Sequence, residues 1–76
     1  MILKGKANIN LQDEIGNTAL MNAINNNDNN MVEFLLENGA DISIRNQNDE
    51  DALDLAREND NQEMLNMLEW ISSMNL

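Results

Sequence analysis

Apolar residues in this chain gather into four short runs, each at helical spacing and each ended by a polar stretch. In "TALMNAINNN", Ala19, Leu20, Ala23 and Ile24 make one apolar stripe of a short helix. Thr18 stands just ahead of it, where its hydroxyl can cap free backbone N–H groups. "NNMVEFLLEN" repeats the spacing with Met31, Val32, Leu35 and Leu36, and "VEFLLE" lacks the alternation that a strand needs. "DEDALDLAREND" offers Ala52, Leu53, Leu55 and Ala56, and "NQEMLNMLEWISSM" offers Met64, Leu65, Met67, Leu68, Ile71 and Met74. Four helices are predicted, the last one longer than its counterpart.

The second pair of runs repeats the first at an interval of 33 residues. Ala7 and Ile9 fall on Ala40 and Ile42, Ala19 and Leu20 on Ala52 and Leu53, Ala23 on Ala56, Met31 on Met64 and Leu35 on Leu68. Leu11 meets Ile44, Val32 meets Leu65, and Phe34 meets Met67, so apolar character persists where identity does not.

That interval decides how the polar connectors are read. Asn38-Gly39 resembles a hairpin signal, but Leu35 and Leu36 before it are helical and Ala40 and Ile42 after it belong to the repeat. Gly39 is therefore expected to end a helix, with the connector's tip nearer residues 46–49. The tract Asn25–Asn30 interrupts the first unit; asparagine accepts positive φ and can turn one helix into the next without glycine. Sixteen asparagines in all read as surface drift under AT-rich codons rather than as a self-associating tract.

With the repeat in place, the chain resembles the ankyrin repeat family. The carrying residues are Asp13-x-x-Gly16-x-Thr18-Ala19-Leu20-Met21-x-Ala23, then Val32-x-x-Leu35-Leu36-x-x-Gly39-Ala40-Asp41-Ile42. They return as Asn46-x-x-Asp49-x-Asp51-Ala52-Leu53-Asp54-Leu55-Ala56 and Met64-Leu65-x-Met67-Leu68. The resemblance implies an all-α repeat solenoid of stacked helix-turn-helix pairs joined by β-hairpin-like loops. It divides the chain into 1–6, the end of a preceding repeat helix with Ile2 and Leu3 on Leu35 and Leu36; 7–42, a full repeat; and 43–76, a C-terminal capping repeat. Ala19 and Ala52 stand at the family's proline, and Met21 and Asp54 at its histidine, so its Thr–His hydrogen bond is missing; Asp49 replaces a turn glycine.

Composition narrows the function. The net charge is −10, from 14 acidic and 4 basic residues, which sets the chain against nucleic acid and anionic lipid surfaces. Cysteine and histidine are both absent. Sulfur metal sites, thiolate nucleophiles and the usual general base go with them. The acidic run Asp49, Glu50, Asp51, Asp54, Glu58, Asp60 fails as a calcium loop: from Asn46, Asp51 takes the glycine position and Arg57 the terminal glutamate. It reads as a solvated acidic helix start. Three isolated glycines make no phosphate loop. The chain is expected to be non-enzymatic, without cofactor or metal. No apolar run reaches the ~20 residues of a membrane span, and residues 1–10 lack a signal-peptide core, so an intracellular, cytoplasmic location is expected.

The ankyrin resemblance implies a protein-interaction module whose partner meets hairpin tips and first-helix faces. Carried over by position, the contact sites are Glu14, Ile15, Asn17, Asn25 and Asn26 in the first unit and Arg45, Gln47, Asn48, Glu50, Glu58 and Asn59 in the second. Ile15 is either an apolar anchor or hairpin packing. Trp70, at the position of Glu37, either shields the end of the stack or forms a binding hot spot. The acidic surface points to a basic partner. Two further readings remain: a structural piece of a longer array, or a self-associating unit, because so few stacked units are marginal; and an acidic mimic of nucleic acid that occupies a basic protein.

Overall fold

The computed structural model describes residues 9–74, and the expectation for residues 1–6 lies outside them. Four helices follow in order, α1 Ala19–Asn25, α2 Asn29–Glu37, α3 Ala52–Glu58 and α4 Gln62–Met74. There is no strand among the described residues. Helix α1 packs on α2 and α3 on α4, making two antiparallel pairs; across the pairs, α1 lies on α3 and α2 on α4. This is the all-α repeat architecture that the 33-residue interval predicts.

Each helix start is fixed by a side-chain oxygen. Thr18 Oγ1 accepts from the Met21 amide at 3.3 Å, Asp28 Oδ1 from Met31 at 3.2 Å, and Asn61 Oδ1 from Met64 at 3.1 Å. Asp51 does more: its Oδ1 accepts from the Asp54 amide at 3.0 Å while Asp54 Oδ2 accepts from the Asp51 amide, a reciprocal capping box. Such caps are worth about 1 kcal/mol each. The Asp51–Asp54 exchange fills, in the second unit, the role that the missing threonine–histidine pair would have had.

The first three helices end alike, although by different residues. Gly39 (φ 90°) closes α2, with Gly39 N–H donating to Leu36 O at 3.1 Å and Ala40 N–H to Leu35 O at 3.0 Å. That is a Schellman cap, and Asn38-Gly39 is a helix end as expected. Asn27 (φ 55°) closes α1 with the same two bonds, Asn27 N–H to Ile24 O and Asp28 N–H to Ala23 O. Asp60 (φ 54°) closes α3 through Arg57 O and Ala56 O. Asparagine thus makes the first inter-helix turn, and aspartate occupies the same place 33 residues on.

Burial depends on which way a position faces along the stack. Leu20, Met21, Ile24 and Val32 in the first unit are buried against the second. Their counterparts Leu53, Asp54, Arg57 and Leu65 are half-buried or exposed. On the opposite side the order reverses: Met64 is fully buried and Ile44 and Met67 are partly covered, whereas Met31, Leu11 and Phe34 are exposed at 44%, 69% and 58%. One end of the stack is therefore polar, through Asp54, Arg57 and Glu69, and the other is apolar. Met21 fits the family's histidine position because that position lies within the interface, where a thioether packs without needing a partner.

Helix-end chemistry gives a stability test. Asp60 holds a left-handed conformation that costs an L-residue roughly 1 kcal/mol. Asp60→Gly should raise the melting temperature by a few degrees, net of glycine's extra chain entropy. Asp60→Ala should lower it, and equal melting temperatures in thermal denaturation would contradict this account of the turn.

Candidate functional site

Two loops project ahead of α1 and α3, and each is organised by one side chain. Asp13 Oδ1 accepts from the amides of Ile15 (3.1 Å) and Asn17 (2.9 Å), while Gly16 N–H donates to Asp13 O and Asp13 N–H to Asn17 O. Asn46 repeats every bond: its Oδ1 accepts from Asn48 (2.9 Å) and Glu50 (3.0 Å), Asp49 N–H donates to Asn46 O, and Asn46 N–H donates to Glu50 O. Amide donors, that of Asn17 foremost, hold the Asp13 carboxyl below the usual carboxylate range. Each loop turns through a left-handed residue, Gly16 at φ 87° and Asp49 at φ 62°. Aspartate thus occupies the missing-glycine position as expected.

The loops are stacked by a ladder of bonds one repeat apart. Gln47 N–H donates to Ile15 O at 3.1 Å, Gln47 Nε2 to Glu14 O at 2.8 Å, and Gln12 Nε2 to both Gly16 O and Arg45 O. Asn46 Nδ2 donates to Asn17 Oδ1 and to Glu50 Oε1. Lower in the stack, Asn59 Nδ2 donates to Ile24 O, and Asn61 Nδ2 to Asn29 Oδ1 and Asn27 Oδ1. Surface drift does not account for these asparagines. Their amides join the two units because a carboxamide can accept and donate at once, as an interior position of a polar ladder requires.

The predicted contact residues divide on this ladder. Glu14, Ile15, Asn25, Asn26, Asn48 and Glu58 have exposed side chains, with Ile15 at 59%. Ile15 lends its backbone to the stack and leaves its side chain in solvent, which answers the alternative of hairpin packing. Asn17 does not point outward: it is 6% exposed, buried under the Asn46 amide. Gln47 and Asn59 are joined to the other unit, and Arg45 is folded back on Asp49. Sequence reasoning missed Gln12 and Asn46, whose signal was a polar residue kept polar at the 33-residue interval.

Loop and helix meet at carboxylates. Glu50 is half-buried, and its hydrogen bond and like charge push the Glu58 carboxyl up from its ordinary pKa; Asp54 adds to the effect. Glu50, Asp54 and Glu58, spaced four apart, thus form an acidic stripe from the second loop along α3. Arg57 Nη1 donates to Asp54 Oδ1 at 3.3 Å, an exposed pair of small worth. No group of three or more His, Cys, Asp or Glu is placed to hold a metal among the described residues.

Two outcomes follow. A Cβ on Gly16 would stand 2.8 Å from Gln47 N and 2.9 Å from Asn46 Cα, whereas one on Gly39 meets nothing within 4 Å. Gly39→Ala should therefore cost only its strain, about 1 kcal/mol. Gly16→Ala should cost clearly more and expose the Gln47 amide to hydrogen exchange. For Glu58 the folded pKa is raised, so repulsion acts above that pKa and is relieved as pH falls through it. Glu58→Gln should raise the melting temperature at pH 7 and give no such gain at a pH below the ordinary glutamate range.

Comparison with known proteins agrees with this geometry. The family pattern for ankyrin repeats (3 copies) matches residues 1–73. An ankyrin repeat protein of Acanthamoeba polyphaga mimivirus is 36% identical over 71 residues, which are 93% of this chain and 10% of that protein. One of fowlpox virus is 46% identical over 48 residues, 63% of this chain and 26% of that protein. Among solved structures, a chain in the complex of a predatory endopeptidase from Bdellovibrio bacteriovorus with an immunity protein superposes with a TM-score of 0.76 at 33% identity. That match covers 87% of this chain and 34% of the other. The chain thus spans a tenth to a third of the proteins it matches, and ankyrin repeats are a general protein–protein interaction module. By its repeat interval, its stacked loops and this match over nearly its whole length, the chain belongs to the ankyrin repeat family.

Proposed function

We propose that the chain is a non-enzymatic interaction module that binds a basic protein surface across its loop tips and the exposed face of α1 and α3. The observation that carries this reading is the row of carboxylates Glu50, Asp54 and Glu58, spaced four apart from the second loop along α3. Two carboxylates held close together gain from an incoming lysine or arginine, and the net charge of −10 favours the encounter. Ile15 supplies an apolar anchor at the tip, with Glu14 and Asn48 beside it. The immunity-protein complex supports a protein partner by likeness alone.

Photo-crosslinking residues placed at Ile15 and Asn48 should capture a discrete partner in cells. Ile15→Asp should weaken binding of that partner about tenfold, the equivalent of ~1.4 kcal/mol, and binding should fall with added salt. No capture at either Ile15 or Asn48, or undiminished binding by Ile15→Asp, would refute the assignment of this face.

A second reading, a structural piece of a longer array or a self-associating unit, is favoured by Leu11, Met31 and Phe34 on the open end. Those positions are the ones that Ile44, Met64 and Met67 use to meet a preceding unit. Phe34→Lys should leave the elution volume on size exclusion unchanged if the chain is monomeric and shift it to a smaller species if this face pairs copies.

A further inference from the structure

On the side of the molecule away from the loops, α2 and α4 lie together but differ in length. Helix α2 stops at Glu37, while α4 runs 13 residues, placing Trp70 at the equivalent position and carrying Ile71 past it. The overhang creates a groove of about 180 Å³ lined by Glu33, Leu36, Glu37, Met67, Trp70 and Ile71. Its floor and far wall are apolar. Its near wall carries two carboxylates one helical turn apart, Glu33 and Glu37.

Trp70 does not shield the end of the stack, since 66% of it is exposed. The first unit places Glu37 at that position, so the tryptophan is not needed to complete a repeat. The groove also sits at the C-terminal end of α2, whose last turn holds no basic residue, and the last turn of α4 holds none either. The carbonyls of Phe34, Leu35 and Leu36 are already taken by the helix cap, so the negative charge here comes from the Glu33 and Glu37 carboxylates.

We infer that this groove docks a basic, apolar-anchored segment of a partner protein, separate from the loop-tip surface. One bulky apolar side chain lies between Leu36, Met67 and Ile71. A neighbouring lysine or arginine reaches Glu33 or Glu37 and stacks its cation on the face of Trp70, an arrangement that gains both charge attraction and cation–π contact. Charge selects the occupant: an acidic segment would meet two carboxylates of its own sign.

Trp70 is the only tryptophan in the chain, so its emission reports the groove directly. Titrating the full chain with a synthetic amphipathic lysine–leucine peptide should shift that emission to shorter wavelength and saturate. A peptide in which glutamate replaces lysine should leave it unchanged. The double variant E33K and E37K alters exposed positions only, so circular dichroism should be unchanged, and peptide affinity should fall at least tenfold. Ile15→Asp should bind the peptide as the parent does, which separates this groove from the loop tips. Unchanged emission with the basic peptide, or equal affinity in E33K/E37K, would overturn the inference. A blue shift that grows with protein concentration alone would assign the groove to a second copy of the chain. One seen with anionic lipid vesicles but not with peptide would assign it to a membrane surface. Either result would displace the proposed occupant.

Discussion

A pair of helices seven and nine residues long cannot cover both of its own faces, and the packing of the second pair on the first is the contact on which the rest of the molecule depends. Ile24, Val32 and Met64 are fully buried only because the two pairs meet. The same contact sets the register of everything outside the core. It brings Gln47 against Ile15, Asn46 against Asn17 and Asn59 against Ile24. Apolar burial supplies the attraction, and the polar ladder permits only one alignment, because a slip of one residue would leave several carbonyls and carboxamides without partners.

This division of labour explains why the loops are well formed without strands. A loop with several inward-pointing amides must satisfy them, and here one side chain does most of it: Asp13 in the first unit, Asn46 in the second. The choice between carboxylate and carboxamide follows position. Asp13 only accepts in these bonds, so a carboxylate serves. Asn46 must also donate to Asn17, which a carboxylate cannot do. With the backbone satisfied inside the ladder, Glu14, Ile15 and Asn48 are left with side chains directed at solvent.

Much of this was legible in the chain. Helical spacing gave the helix starts, and the 33-residue interval turned Asn38-Gly39 from a hairpin signal into a helix end. The same interval located Asp49, whose positive φ sequence reasoning anticipated from a glycine position. The direction in which polar side chains point was not legible. Asn17 and Asn48 look equally exposed as letters, yet one is buried between loops and the other is free, because only one lies on the side where the next unit stacks. Composition concealed the ladder for a similar reason: in a chain with sixteen asparagines, the few that are constrained are not distinguished by type.

The two ends of the stack and its back face follow from the same asymmetry. Where the first unit buries Met21 and Ile24 against its neighbour, the second carries Asp54 and Arg57, so that face of the second unit is polar. Helix α4 runs on as helix through Ser72 and Ser73, which align with Gly39 and Ala40, where α2 has already turned. The extra length carries Ile71 beyond the residue that aligns with the end of α2 and leaves Trp70 level with that end. A tryptophan two-thirds exposed adds little to the core, whereas beside Glu33 and Glu37 it forms one wall of a cation-selective groove. The longer fourth helix and the groove beside it are thus two aspects of one difference between the units.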